Sequence, residues 1–277
     1  MAETLNVIKV GGAVVEDEAS LGGLIARFAS LPGRKVLVHG GGRSATRLAG
    51  QLGIETTMVE GRRVTDEAML RVVTMVYGGL VNKHVVARLQ AAGVNALGMT
   101  GADMNVIRAH RRGVKVVRDA AGREREVDYG FVGDIDGADG GCLARLVESG
   151  VTPVVAPLAH DGRGQMLNVN ADTIAATVAV ALAEHFDVTL TYCFEKAGVL
   201  ARADDEGSVI RRITREDFGR LVSEGVISGG MVPKVENALG AIERGVRRVV
   251  ITGVEDIEGS RGTVVEAPPA PPKWGGV

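Results

Sequence analysis

Two strand-like runs near the start of the chain each end in consecutive glycines, and this arrangement restricts the possible folds more than any other feature. Leu5–Val10 leads into Gly11-Gly12, and Arg34–His39 leads into Gly40-Gly41-Gly42. Between the two runs, Asp17–Ser30 has apolar residues at helical spacing. A strand, a helix and a second strand, with glycines at both strand ends, predict a parallel sheet covered by helices.

The alternation of strand and helix patterns continues through most of the chain. Strands are predicted at 94–100, 152–156, 188–192 and 246–252, and helices at 44–52, 66–92, 143–148, 171–184, 214–223 and 233–244. Gly78-Gly79 is expected to break or kink the helix at 66–92, and the charge-dense segment 118–126 to form a hairpin tip. We therefore predict the α/β class in three layers, an open, mostly parallel sheet flanked by helices.

Composition and charge exclude several classes of function. Lys and Arg number 32 against 34 Asp and Glu, a net charge of −2 that gives no reason to expect nucleic acid or a membrane as partner. No apolar run reaches the length of a membrane span, and the N-terminus lacks a signal-peptide pattern. Cys142 and Cys193 lack CxxC spacing and are expected to be reduced, buried thiols. We therefore expect a cytoplasmic protein.

The two glycine turns are candidate anion sites. Consecutive glycines can direct successive N–H groups toward one point, and a helix that follows adds the positive end of its dipole. Gly40-x-Gly42-x-x-Ala45 also fits a dinucleotide pattern with Glu60 as its acid, which would indicate a nucleotide-dependent oxidoreductase. The phosphate loop GxxxxGK[ST] is absent from the sequence. Nucleotide chemistry in this chain therefore requires a different type of fold.

Two further motifs place polar side chains at predicted helix starts. Asn168, Asn170 and Asp172 cluster at the start of the helix at 171–184, where a single N-cap would need only one of them. Lys234 falls in the first turn of the helix at 233–244, where the helix dipole disfavours a cation. This lysine therefore requires a nearby anion, either a carboxylate or a phosphate.

The motifs IKVGG, VHGGG, GRRVTD, NVNAD and SGGMVPKVENA occur in this order over about residues 5–265. Together they resemble the amino acid kinase superfamily and, within it, the kinases of N-acetyl-L-glutamate in arginine biosynthesis. The resemblance implies ATP-dependent phosphorylation of the γ-carboxylate to an acyl phosphate, with Mg²⁺ carried by the nucleotide and no metal site in the protein. It also implies a homodimer.

The resemblance implies a division into lobes as well. One domain is expected over 1–265, with a lobe at about 1–170 that binds the acyl amino acid and dimerises, and a lobe at about 171–265 that binds ATP. Residues 266–277 hold several prolines and are expected to form a disordered tail. Only eight residues precede Lys9, so the extra N-terminal helix of arginine-inhibited hexameric relatives is not expected.

Individual residues receive roles from the same resemblance. The implied catalytic residues are two lysines that stabilise the transferring phosphoryl group and an aspartate that holds both of them: Lys9, Lys234 and Asp172. The implied contacts to the acyl amino acid are Gly41, Gly42, Arg63 and Asn168. The implied contacts to the nucleotide are Gly12, Lys196, Gly198 and Ser228. A γ-carboxylate is already ionised at pH 7, so the reaction needs no general base, and His39 is expected to be a packed strand-end residue.

Several alternatives remain open at this point. The loop Leu190–Leu200 is longer than the family pattern and lacks a certain counterpart of its usual aspartate, which leaves the nucleotide contacts open. The acceptor could be N-succinyl-L-glutamate, or an aminoadipate derivative linked to a carrier protein. A non-catalytic, amino-acid-binding regulator of the same fold is a further alternative, against which the set of Lys9, Asp172 and Lys234 argues.

Overall fold

The computed structural model describes residues 3–118, 122–202, 204–229 and 231–267. A central sheet has eight strands, and neighbouring strands pair in parallel except at one antiparallel pair. In order across the sheet, the strands are β14 (Arg212–Ile213), β16 (Thr263–Val265), β15 (Arg248–Gly253), β13 (Asp187–Phe194), β1 (Thr4–Val10), β2 (Arg34–His39), β10 (Thr152–Val155) and β5 (Ala96–Met99). The antiparallel neighbours are β15 and β16.

Helices cover both faces of this sheet. They are α1 (Gly12–Glu16), α2 (Glu18–Ser30), α3 (Gly42–Gln51), α4 (Glu67–Val73), α5 (Asn82–Ala91), α6 (Gly140–Glu148), α7 (Ala171–Ala183), α8 (Arg215–Ser223) and α9 (Met231–Glu243). One apolar cluster packs under α6–α9 and another under α1–α5. In β1, Val7 belongs to the first cluster and its neighbour Ile8 to the second, because successive side chains of a strand point to opposite faces. The predicted three-layer α/β fold is confirmed.

Smaller elements extend the edge of the molecule. A four-stranded sheet consists of β12 (Met166–Asn168), β11 (Leu158–His160), β6 (Ile107–Arg111) and β9 (Gly133–Ala138), in that order. Two hairpins are formed by β3 (Met58–Val59) with β4 (Arg62–Arg63), and by β7 (Lys115–Arg118) with β8 (Glu124–Val127). The second hairpin lies where the tip was predicted at 118–126, and residues 119–121 of that tip lie outside the described residues. Short 3₁₀ turns occupy Asp103–Asn105 and Val254–Asp256.

The helix predicted at 66–92 is continuous, but its middle part is unusual. A π-helix at Thr74–Val81 joins α4 directly to α5, and Gly78-Gly79 lie inside it. The irregularity that the glycine pair predicts is therefore a widened helical stretch, not a break. Such π-helical stretches are rare and often occur at functional sites. This one contributes Tyr77 to a cavity described below.

The division into two lobes is not visible in the apolar core. Each apolar cluster includes residues from before and after residue 170, because the clusters follow the two faces of one continuous sheet. A boundary at residue 170 therefore stays a prediction. Of the tail predicted at 266–277, residues 268–277 lie outside the described residues. Among the described residues, none of the helices combines the length and the apolar character needed to cross a bilayer.

His39, at the end of β2, is fully buried and packed between main-chain and side-chain polar groups. Its Nδ1 lies 2.7 Å from the Gly40 carbonyl oxygen, and its Nε2 lies 3.1 Å from the side-chain nitrogen of Asn82. A carbonyl only accepts, so Nδ1 carries the hydrogen and Nε2 accepts from the amide. Burial lowers the pKa of His39 to about 4. The residue is a neutral packing residue, as expected.

The protein should lose stability as the pH falls from about 6.5 toward 4, in part because of His39. The unfolded chain binds a proton on histidine near pH 6.5, whereas the folded protein does so only near 4. The stabilisation is complete above pH 6.5, and at pH 4 about 3 kcal/mol of it should be lost. Urea denaturation across this pH range measures the effect. The His39→Gln variant should show a flatter profile, and the same slope in both proteins would contradict the prediction.

Candidate active site

The two glycine turns meet at the carboxyl ends of the neighbouring strands β1 and β2. The Gly40 N–H donates to the Val10 carbonyl oxygen at 3.0 Å. A Cβ atom added to Gly12 would lie 3.2 Å from the Gly41 nitrogen and 3.3 Å from the Gly42 nitrogen. One added to Gly40 would lie 2.8 Å from the Gly12 nitrogen. Side chains are therefore excluded at Gly12 and Gly40, and the backbone nitrogens of Gly12, Gly41 and Gly42 form what we call the glycine cradle.

The glycine cradle lies at the start of α3. First-turn N–H groups have no partner within their own helix, and the helix dipole favours an anion beside them. Gly41, the N-cap, has no side chain to cap the helix. Glu16 of α1 substitutes for it, because its Oε1 accepts from the Ser44 N–H at 2.8 Å. The helix start is thus stabilised from another element while the cradle itself stays free of side chains.

Asp172 joins two lysines that are far apart in the sequence. The Lys234 Nζ donates to Oδ2 of Asp172 at 2.6 Å, and the Lys9 Nζ lies 2.6 Å from Oδ1. Lys9 lies near the end of β1, Lys234 lies in the first turn of α9, and Asp172 lies in the first turn of α7, which Asn170 caps. The anion that the position of Lys234 requires is therefore the Asp172 carboxylate. The structure brings all three predicted catalytic residues together.

The carboxylate of this group stays charged although it is buried. Burial raises the pKa of Asp172, but the positive charges of Lys9 and Lys234 outweigh burial and hold that pKa below its ordinary value. The Lys234 ammonium also lies 5.5 Å from the centre of the Phe194 ring, a cation–π contact. Two lysines against one carboxylate leave an excess positive charge. The group can therefore attract a further anion.

A cavity of about 210 Å³ opens beside the glycine cradle. Among the residues that line it are four that the sequence predicts as substrate contacts: Gly41, Gly42, Arg63 and Asn168. Ala171, which precedes Asp172 in the chain, lines it as well. Its apolar wall was not predicted and comes from Met58, Tyr77, Val132 and Pro157. These four residues carry no motif, and only the tertiary structure brings them to the same place.

Arg63 and Asn168 are held rigidly at this cavity. The Nη2 of Arg63 donates to the Gly42 carbonyl oxygen and to the Thr46 hydroxyl, both at 2.9 Å. Asn168 donates through its side-chain nitrogen to the Thr65 hydroxyl at 3.0 Å. Because both side chains are buried and tied to neighbouring elements, little conformational entropy remains for a ligand to remove.

A larger cavity of about 690 Å³ lies at the carboxyl ends of β13 and β15. Its wall includes Ala13 and Val14, next to the cradle residue Gly12, and Phe194, whose ring contacts Lys234. Gly253 and the four residues around it, at the end of β15, also line it and were not predicted. A signal was present, because β15 ends in a glycine just as β1 and β2 lead into glycines.

The predicted nucleotide contacts Lys196, Gly198 and Ser228 are not among the described residues that line the larger cavity. The larger cavity is lined by Glu195 and Ala197, on either side of Lys196. Gly198 is a close-packing position, where an added Cβ would lie 2.8 Å from Thr263 Oγ1. The Ser228 carbonyl accepts from the Met231 N–H at the start of α9. Nucleotide binding by Lys196, Gly198 and Ser228 therefore stays a prediction.

The dinucleotide interpretation of the second glycine turn does not fit the structure. Glu60, its required acid, lies in the two-residue turn between β3 and β4, with φ of 49°. The dinucleotide pattern needs an acid that follows the next parallel strand of the same sheet.

Within the described residues, no group of three or more His, Cys, Asp and Glu side chains is arranged to hold a metal ion.

Known proteins resemble this chain along most of its length. The sequence model of the amino acid kinase family matches residues 4–253. The acetylglutamate kinase of Bacteroides thetaiotaomicron is 60% identical over 264 residues, which are 94% of this chain and 99% of that protein. The acetylglutamate kinase of Phocaeicola vulgatus is 58% identical over 266 residues, 96% of this chain and 100% of that protein. The crystal structure of smu.665 from Streptococcus mutans, at 28% identity, has a TM-score of 0.75 and covers 95% of this chain and 98% of its own.

Removing the shared carboxylate should destabilise the protein strongly. Asp172→Asn leaves two neighbouring lysines, one of them buried, without their common anion, and we expect a loss of about 3 kcal/mol in the free energy of unfolding. Urea denaturation at pH 7 measures it. Asp136→Asn removes a carboxylate from an exposed pair with His110 and should cost about 1 kcal/mol or less. Equal losses in the two variants would contradict the special role of Asp172.

Proposed function

The chain belongs to the amino acid kinase family, and from its site we propose that it transfers the γ-phosphoryl group of ATP to the γ-carboxylate of N-acetyl-L-glutamate. The product is an acyl phosphate, formed in arginine biosynthesis. The observation that carries this proposal is the group of Lys9, Asp172 and Lys234 next to the glycine cradle. Curated relatives named acetylglutamate kinase, identical at 58–60% of positions, give the acceptor.

The chemistry requires charge neutralisation more than proton transfer. The acceptor carboxylate is ionised at pH 7, and its oxygen attacks the γ-phosphorus while the bond to the bridging oxygen of ADP breaks. Nucleophile, transferring group and leaving group are all anionic, so their mutual repulsion forms much of the barrier. Lys9, Lys234 and the cradle N–H groups supply positive charge and hydrogen bonds at this point. Mg²⁺ enters as part of the Mg-ATP substrate and offsets charge on the phosphates.

Asp172 acts in this scheme as a positioning residue. Without it, the two ammonium groups would repel each other with no anion between them. With it, both lysines are held in a fixed direction. Arg63 is proposed to hold the α-carboxylate of the substrate, Asn168 to contact its acylamino group, and Gly41 and Gly42 to donate to the reacting carboxylate. Gly12 is proposed to donate to the phosphoryl oxygens.

The larger cavity supports a proposal for the nucleotide. Its lining includes Ala13 and Val14, which follow Gly12 in the chain, and Phe194, whose ring contacts Lys234. Its volume of about 690 Å³ falls in the range usual for ligand sites. We propose that ATP binds there with its γ-phosphate directed to the cradle.

We also propose a cytoplasmic location, because Cys142 and Cys193 are free thiols, as is usual in a reducing compartment.

Loss of one lysine should abolish most of the activity. We expect wild-type protein to release ADP from Mg-ATP only when N-acetyl-L-glutamate is present, as measured with a coupled ADP assay. Lys234→Met should lower kcat by about a hundredfold or more, because one positive charge at the transferring group is lost. Lys115→Met, on the exposed strand β7, serves as the control and should be fully active. ADP release that does not depend on the acceptor, or that is unaltered in Lys234→Met, would refute the proposed role. If the protein were a non-catalytic regulator, even the wild type would show no acceptor-dependent ADP release.

A homodimer is proposed as well, through the edge of the central sheet at β5. Leu97 of β5 is exposed, as are Met75 and Leu80 of the π-helix. Gly78 of the π-helix and Gly98 of β5 line one cavity of about 330 Å³, so both elements border the same space. An apolar surface of this kind beside an outer strand is typical of a protein–protein contact.

The dimer surface can be tested with one charge. Leu80→Glu should convert the protein to a monomer in light scattering coupled to size-exclusion chromatography, because association would bury the new carboxylate. Leu52→Glu places the same charge at an exposed leucine after α3 and should leave the dimer intact. A Leu80→Glu variant that stays dimeric would show that the interface lies on another surface. A monomeric wild-type protein would refute the proposed dimer.

A further inference from the structure

Two consecutive arginines line the acceptor cavity. Arg62 and Arg63 form β4 and pair with β3 across a two-residue turn. Both turn residues, Glu60 and Gly61, have positive φ, 49° and 73°, as in the tight turns that match the twist of a hairpin. The hairpin therefore fixes the backbone of both arginines at the cavity wall.

The guanidinium of Arg63 is held by hydrogen bonds within the protein. Its Nη2 donates two hydrogen bonds, to the Gly42 carbonyl oxygen and the Thr46 hydroxyl, and its Nη1 lies 3.4 Å from the Thr56 hydroxyl. It is 9% exposed. The same Nη1 donates to the Met69 sulfur at 3.9 Å. These contacts fix the guanidinium and leave its Nε–H for one ligand group, such as an α-carboxylate.

Arg62 differs from its neighbour because its guanidinium has no hydrogen bond and no ion pair with any residue in the described part of the chain. The negative charges that act on it are those of Asp134 and Glu60. The Asp134 carboxylate is itself bound by Arg112 through Nε and Nη2. Burial and then repulsion from Arg112 lower the pKa of Arg62. Arg62 is thus a partly buried cation at the cavity that forms no direct ion pair within the described residues.

N-acetyl-L-glutamate has no group for this cation. Its γ-carboxylate belongs at the glycine cradle and its α-carboxylate at Arg63, while its acetyl group ends in a methyl. An acyl group with a carboxylate at its far end would supply the missing anion, and its methylene groups could contact the apolar wall of Met58, Val132 and Pro157. A charge-assisted pair of Arg with carboxylate is among the stronger hydrogen-bonded contacts in proteins.

We propose that Arg62 determines acyl-group specificity by binding a carboxylate at the end of the acyl chain, so that the site favours N-succinyl-L-glutamate over uncharged N-acyl-L-glutamates. The inference rests on the proposed phosphoryl transfer to the γ-carboxylate of an N-acyl-L-glutamate, and it replaces only the acetyl group of the proposed acceptor by a succinyl group. Arg62 then determines specificity for the acyl group, and the proposed roles of Lys9, Lys234 and Asp172 in phosphoryl transfer stay as they are.

Three acceptors and three arginine variants test the proposal. The acceptors are N-acetyl-, N-butyryl- and N-succinyl-L-glutamate; the butyryl chain resembles the succinyl chain in length but lacks its charge. Wild-type kcat/KM should be higher for the succinyl than for the butyryl compound by about tenfold or more, the factor that a gain of about 1.4 kcal/mol gives. Arg62→Gln should remove this preference, mainly through KM, and Arg62→Lys should restore part of it. Arg71→Gln, which removes an exposed arginine of α4, should change nothing.

The outcomes separate failure of the inference from failure of the proposed function. An equal loss on all three acceptors in Arg62→Gln would show that Arg62 holds the α-carboxylate, and a wild-type enzyme without preference for the succinyl compound would show that no distal carboxylate is recognised. Either result overturns the proposal while the kinase function stands. If no acceptor is turned over, the proposed kinase function fails. Binding of each acyl-glutamate, measured as a thermal shift without ATP, then still tests the role of Arg62. A rise in Tm with the succinyl but not the butyryl compound, lost in Arg62→Gln, supports Arg62; no rise overturns it.

Discussion

The contact on which the rest of the site depends is the pairing of one buried carboxylate with two lysines. Asp172 brings together the end of β1, the start of α7 and the start of α9, so the position of each element is coupled to the other two. The arrangement costs desolvation of three charges, which only close and complementary partners can offset. It leaves an excess of positive charge at one edge of the sheet, and that excess is what an anionic reaction can use.

The glycine cradle solves a related problem with the backbone. Anionic groups can be held by N–H donors only if no side chain intervenes, and Gly12, Gly40 and Gly41 lie where an added Cβ would come within 3.2 Å of neighbouring atoms. Glycine at the N-cap leaves α3 without a cap of its own, and Glu16 supplies one from α1. Stability and ligand access are thus provided by different residues.

The acceptor cavity shows how two adjacent, chemically identical side chains acquire different roles. Arg63 is tied to Gly42 and Thr46, whereas Arg62 keeps its donors free of any partner among the described residues. A hairpin with both turn residues at positive φ places them there. Fixed donors suit a group that every substrate carries, and free donors suit a group by which substrates differ.

Local signals in the sequence determined the elements: glycines that end strands, and apolar helix faces such as that of Leu21, Leu24 and Phe28, which is buried in the structure. Ordered motifs identified the family and named Lys9, Asp172 and Lys234. Only the tertiary structure decided that these three touch, that β15 ends at a second cavity, and that Arg62 lacks a hydrogen-bond or ion-pair partner in the described parts of the chain. Patterns of three to eight residues report local conformation, whereas pairing across 62 residues, as for Asp172 and Lys234, depends on how the whole sheet is assembled.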